Sequence, residues 1–115
     1  MSERRIGVYG GTFDPLHNGH LEVARAIVGH FDLDQLLIVP AYRPLHKPSR
    51  LISGAHHRYT MAALATLDDA RLKVSTIELE TPERPYTFET VERLREAFGP
   101  EAALFLVCAK RAWKQ

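Results

Sequence analysis

The sequence predicts an α/β fold, a Rossmann-like doubly wound parallel sheet, and three observations carry that expectation. Short apolar runs alternate along the chain with segments of helical period, the order that builds parallel sheets. Two of those runs, "LLIVP" at Leu36 to Pro40 and "ALFLV" near the C-terminus, are continuously apolar, as in strands covered on both faces. The first run ends in Gly10 and Gly11 immediately before a helical segment, the place where such folds bind ligands.

The elements follow in order. Arg5 to Tyr9 reads as a short strand, because Ile6 and Val8 are apolar and the paired glycines stop the run. From Asn18 to His30 the period becomes helical, with Leu21, Ala24, Ile27 and Val28 on one face and Gly29 near the end. Leu36 to Pro40 is the second strand, completing a βαβ unit. The segment "AYRPLHKPSRLISG" holds prolines and no helical period, so it reads as a long loop of the kind that covers a site. Ser53 is a suitable cap for a helix running to about Leu67, with Met61, Leu64 and Ala65 expected inward. "RLKVSTIELE" is strand-like, and "TPERPY" reads as a loop. Thr87 can cap a third helix with Phe88, Val91, Leu94 and Phe98 apolar, which Gly99-Pro100 ends. "ALFLV" is then a fourth strand, expected to be buried.

A chain of 115 residues fits one domain, spanning 1–115. Its composition, 45% hydrophobic and 25% charged, is that of a globular protein rather than a disordered or fibrous one. No apolar run reaches membrane-spanning length and "MSERRIG" carries no signal-like segment, so no membrane partner and a cytoplasmic location are expected. A lone Cys108 cannot close an internal disulfide, in keeping with a reducing compartment. A net charge of +1 gives no reason to expect nucleic acid. The charge is nevertheless uneven: between Asp34 and Asp68 there is no acidic residue, while Arg43, His46, Lys47, Arg50, His56, His57 and Arg58 fall there. Such a segment suits an anionic small molecule.

Glycine after a first strand lets the main chain approach a phosphate, and the helix that follows offers unpaired N–H groups and a favourable dipole. The turn "GGTFDPLHNGH" matches neither the dinucleotide fingerprint nor the lysine-bearing phosphate loop. Other groups must therefore supply the contacts. His17 and His20 lie three apart at the helix start, so both imidazoles can face one phosphate-sized space and donate N–H groups to it. The same spacing suits a metal pair, although no cysteine or carboxylate lies beside them to complete a shell. Asp14 and Pro15 are read as shaping the turn.

That turn resembles the signature of the nucleotidyltransferase superfamily carrying an H-x-G-H motif, and the wider chain is similar to the nicotinate-nucleotide adenylyltransferases. "RPLHKP" at 43–48 looks like that family's substrate-covering loop, and "RPYTFETVERL" at 84–94 like its tyrosine-threonine loop and following helix. Pantetheine-phosphate adenylyltransferases typically carry threonine where this sequence has His17, which favours the nicotinate branch. The resemblance implies transfer of AMP from ATP to nicotinate mononucleotide with release of pyrophosphate, and Mg²⁺ coordinated mainly by substrate and water. It implies that Gly10, Gly11, Thr12, Phe13 and Gly19 hold ATP together with His17 and His20, which also act as the catalytic pair. It places Arg43, His46 and Lys47 against substrate phosphate, and Tyr86, Thr87 and Trp113 around the pyridine ring; Trp113 can equally be an apolar residue near a chain end.

The pattern is broken in two places. After the fourth strand the family usually shows a glycine-x-aspartate step whose aspartate meets the ATP ribose; here the chain reads Cys108-Ala109-Lys110, and lysine accepts no hydrogen bond. The family's later serine-threonine motif with its trailing arginine is missing from "KRAWKQ". The expectation is therefore a C-terminally truncated member, either an adenylyltransferase or a catalytically impaired nucleotide-binding module. Uncovered apolar surface on the fourth strand and the helices would favour a homo-oligomer.

Overall fold

The computed structural model describes residues 4–11, 13–41, 54–77, 79 and 88–108. The chain runs β1 (Arg5–Gly11), α1 (Asn18–His30), β2 (Gln35–Pro40), α2 (Ala55–Ala65), β3 (Leu72–Val74), α3 (Phe88–Phe98) and β4 (Ala103–Cys108). The strands form one parallel sheet in the order β3-β2-β1-β4. After three strands laid in one direction, the chain returns across β1 to place β4 on its other side.

That reversal decides which face each helix covers. Right-handed crossovers moving from β1 to β3 put α1 and α2 on one face, and the return to β4 puts α3 on the other. Side-chain alternation along the strands feeds both layers. Tyr9, Leu36 and Ile38 pack with Leu21, Ala24 and Val28 of α1 and Ala62 of α2. Ile6, Val8, Leu37 and Val39 pack with Leu94 of α3, joined by Phe98 and Leu104. The expected doubly wound α/β arrangement is the one observed, with Leu36 to Pro40 buried throughout.

Two arginines close helix ends. Arg5 donates from Nε and Nη2 to the carbonyl of Phe31 at 3.0 and 2.8 Å and from Nε to that of Asp32 at 3.2 Å, while its backbone N–H donates to Asp34 Oδ2 at 2.7 Å. Its guanidinium lies 4.7 Å from the Phe105 ring centroid, so one cation ties the end of α1 to β1 and β4. Arg95 donates to the carbonyls of Gly99 and Ala102 beyond α3, where Gly99 takes the left-handed φ of 87° that ends the helix.

The structure corrects five of the expected details. The N-cap of α2 is Gly54 rather than Ser53, which lies outside the described residues, and the helix stops at Ala65. Its inner face is Ala55, Arg58 and Ala62, with Ala65 partly buried, whereas Met61 and Leu64 point outward at 39% and 63% exposure. Alanines at those positions let α2 approach the sheet closely, and that gain in packing outweighs burying the larger side chains. The third strand keeps only Leu72 to Val74, because it pairs with Leu36 to Ile38 and the chain then turns away. The fourth strand is an edge, and Leu106 is 55% exposed rather than buried. The Thr87 cap lies outside the described residues.

The rotation of α2 is checked by urea unfolding of two variants. Ala62→Leu should lose about 1–3 kcal/mol by overpacking. Leu64→Ala should stay within about 0.5 kcal/mol of the parent. The opposite ranking would restore the face expected from the sequence pattern.

Candidate functional site

The carboxyl ends of three strands meet at one edge. Gly10 sits between Val39 of β2 and Cys108 of β4, and Gly11 lies beside Pro40. Because strand order reverses around β1, this edge is the switch point at which open α/β sheets form a ligand crevice. The turn from β1 into α1 lies over it.

Phe13 shapes that turn. Its φ of 51° is left-handed, a conformation costing a bulky residue on the order of 1–3 kcal/mol that persists only when surrounding contacts enforce it. Those contacts are visible: the ring is 3% exposed, meets Tyr9 edge-on at 5.3 Å and His20 edge-on at 5.1 Å. It also occupies the space above Gly11, where a Cβ would lie 3.0 Å from Phe13 Cζ. A larger residue at Gly11 would press on the protein's own aromatic ring, a reason for glycine the sequence did not disclose.

His17 and His20 form a reciprocal cap at the start of α1. His17 is the N-cap, with φ −133° and ψ −178°, and its Nδ1 accepts the Gly19 N–H at 3.1 Å. His20, three residues on, accepts the His17 N–H on its own Nδ1 at 3.0 Å. Serine, threonine or aspartate usually performs this task, satisfying N–H groups that the helix leaves unpaired. Here imidazoles do it, which brings the ring centroids to 3.9 Å with a 32° tilt. Each ring's Nδ1 is thereby taken up by the cap. Burial, to which Phe13 contributes, and then the neighbouring His17 charge hold His20 below its ordinary value near 6.5. No acidic residue occupies the first turn of α1, so the positive end of its dipole is uncompensated within the helix.

A buried cation lies at the same edge. Arg58, in the first turn of α2, is 1% exposed, and burial lowers its pKa while Asp14 in the turn acts in the opposite sense. It therefore does not belong to the solvated positive segment expected from sequence, whereas His56 and His57 are exposed. An arginine spaced among small residues on α2 was the available signal. Burial also raises the Tyr9 phenol beneath Phe13.

The structure thus brings together Gly10, Gly11, Phe13, His17, Gly19 and His20. Thr12, Arg43, His46, Lys47, Tyr86, Thr87 and Trp113 lie outside the described residues. Among the described residues, no group of three or more His, Cys, Asp or Glu side chains converges to hold a metal, and no helix is long and apolar enough to cross a membrane. The donors at the turn are N–H groups, which suit an anion and not a hard cation such as Mg²⁺, whose preferred ligands are oxygens. A surface cleft lined by Gln35, Thr66, Asp69, Leu72 and Lys73 lies at the opposite, amino-terminal edge of the sheet.

Comparison with known proteins agrees with this arrangement. A family model described as cytidylyltransferase-like matches residues 8–114. The chain is 40% identical over 105 residues to a probable nicotinate-nucleotide adenylyltransferase of Thermoanaerobacter sp., covering 91% of this chain and 50% of that one. Like-named proteins of Mycolicibacterium vanbaalenii and Neisseria meningitidis serogroup C are 42% and 44% identical, over 91% and 89% of this chain and 49% and 51% of theirs. The chain spans about half the length of the curated relatives it matches. Its fold is similar to Plasmodium falciparum nicotinic acid mononucleotide adenylyltransferase complexed with NaAD, with a TM-score of 0.73 at 19% identity, over 90% of this chain and 51% of the other. The same enzyme complexed with APC gives 0.67 at 19% identity, over 90% and 50%. Matched from residue 8 to residue 114, this chain belongs to the cytidylyltransferase-like family.

Proposed function

We propose that this chain carries the nucleotide-binding half of a nicotinate-nucleotide adenylyltransferase, folded as one domain over 1–115. The observation that carries the reading is the pair of imidazoles, 3.9 Å apart at the switch point of the sheet, whose Nδ1 atoms are both engaged in the helix cap. Relatives at 40–44% identity bear the nicotinate name, which favours that branch over the pantetheine-phosphate one.

The chemistry asked of such a site is modest. A phosphate oxygen of nicotinate mononucleotide attacks the α-phosphorus of ATP; a new P–O bond forms, the bond to the bridging oxygen breaks, and pyrophosphate leaves. The attacking phosphate is already ionised at neutral pH, so no general base is needed, and rate comes from positioning and from donors at the developing negative charge. His17 and His20 supply those donors to the β- and γ-phosphates. Backbone at Gly10 to Phe13 approaches the nucleotide, and the first turn of α1 adds its dipole. The described residues offer no cluster to hold Mg²⁺, which would be held by the triphosphate and water and would supply neutralisation of phosphate charge. Thr12 is assigned to ATP, Arg43, His46 and Lys47 to substrate phosphate, and Tyr86, Thr87 and Trp113 to the pyridine ring, all by the family resemblance.

One feature of the sequence favours a second reading, binding without turnover. Lys110 stands where the resemblance leads one to expect an aspartate on the ribose. Release of pyrophosphate from ATP, Mg²⁺ and nicotinate mononucleotide separates the two, and calorimetry with ATP tests binding alone. In an active chain, His17→Ala and His20→Ala should each lower turnover by about 10²-fold to 10³-fold. Near-full rates in both variants would remove the histidines from the reaction. Absence of ATP binding in the parent would remove the site.

A further inference from the structure

The hydrogen bonds around the histidine pair fix more than their position. A neutral imidazole has one N–H and one bare nitrogen, and only the bare one accepts. Nδ1 of His17 accepts from Gly19, and Nδ1 of His20 accepts from His17, so in both neutral rings the proton belongs on Nε2.

Gly19 acts on His17 in two ways. Its amide is the donor at 3.1 Å, and its lack of a side chain leaves room for the ring. A Cβ there would sit 3.0 Å from His17 Cε1 and 3.2 Å from Nδ1, tighter than ordinary contact, so the ring would have to give by a few tenths of an ångström. An alanine would keep the amide donor and press the ring away from it.

We propose, building on the phosphate-site reading above, that Gly19 is the positioning residue of this site: it locks His17 as the Nε2–H tautomer, the His17 amide does the same for His20, and anions are held by two neutral rings and released in acid. An imidazolium carries N–H on both nitrogens. Its new Nδ1–H would face a backbone N–H, donor against donor, so the ring must turn and its Nε2 donor leaves the site with it. Protonation ordinarily strengthens a histidine–phosphate bond. In this cap it dismantles the geometry that makes the bond.

The surroundings support release on the acid side. Burial first and His17 second hold His20 below about 6.5, and the rings packed on it are Phe13 and His17. Of the charged groups on adjoining elements, Asp14 of the turn and Arg58 of α2 act on one another, and Glu22 and Arg25 on α1 are exposed. Folded His20 binds fewer protons than unfolded His20 between its lowered value and about 6.5. Its contribution to stability is therefore complete above about 6.5 and is lost as pH falls through the lowered value.

Imidazole nitrogen NMR on the full chain, with sulfate as a probe whose charge is constant over the range, tests this. At about pH 7.5 both rings should show the Nε2–H signature, and sulfate should bind about twofold to tenfold more weakly at about pH 5.5, the factor carried by one lost hydrogen bond. Gly19→Ala, with its helix content checked by circular dichroism, should mix the His17 Nε2–H signature with the other tautomer, leave the His20 signature intact, and lessen the weakening of sulfate binding in acid. An Nδ1–H tautomer in either ring, or acid-strengthened binding in the parent, overturns the proposal. An unchanged His17 signature in the variant removes Gly19 from it. No sulfate binding at either pH, with the Nε2–H signature intact, upholds the lock and overturns the phosphate reading.

Discussion

The start of α1 depends on two hydrogen bonds that run in opposite directions between histidine rings and backbone: Gly19 N–H to His17 Nδ1 and His17 N–H to His20 Nδ1. A helix start must satisfy N–H groups that have no partner in the helix, and a good cap contributes on the order of 1 kcal/mol. By assigning that task to imidazoles, this chain makes the same bonds that begin the helix hold two rings side by side. In the proposed site, capping and ligand binding are then one constraint, because a ring that leaves the cap also leaves the site.

The rest of the fold places that constraint where it can be used. Strand order β3-β2-β1-β4 reverses at β1, so the turn sits at the switch point where such sheets bind ligands. Phe13 presses the turn down from above: its ring covers Gly11, meets Tyr9 and His20, and accounts for the left-handed backbone at that residue. From α2, the buried Arg58 and Asp14 act on each other across the same edge. Arg5 fixes the far end of α1 to the Phe31 and Asp32 carbonyls, so the helix is held at both ends against β1.

The sequence made some of this plain and concealed the rest for physical reasons. Helix α1 was legible from Asn18 to His30 because its apolar period, its histidine spacing and its burial agree. β2 was legible because Leu36 to Pro40 is apolar without interruption, and only a strand covered on both faces tolerates that. α2 was placed but turned the wrong way, since a reading by hydrophobic size favours Met61 and Leu64 over alanines, and no such reading places an arginine inside. Among the described residues, β3 is shorter than its strand propensity suggests, because pairing with β2 ends at Val74. At the site, the histidine pair and the glycine turn were visible from spacing. The reason for Gly11 was not, because it lies in the ring of Phe13, and neither was the reason for Gly19, which lies in the ring of His17.

Amide hydrogen exchange at His17 and Gly19 tests the reciprocal cap most directly. The cap predicts that both amides exchange more slowly than unbonded first-turn amides, that His20→Ala releases His17 while leaving Gly19 protected, and that His17→Ala releases Gly19. Exchange of both amides at unprotected rates in the unsubstituted chain would contradict the account.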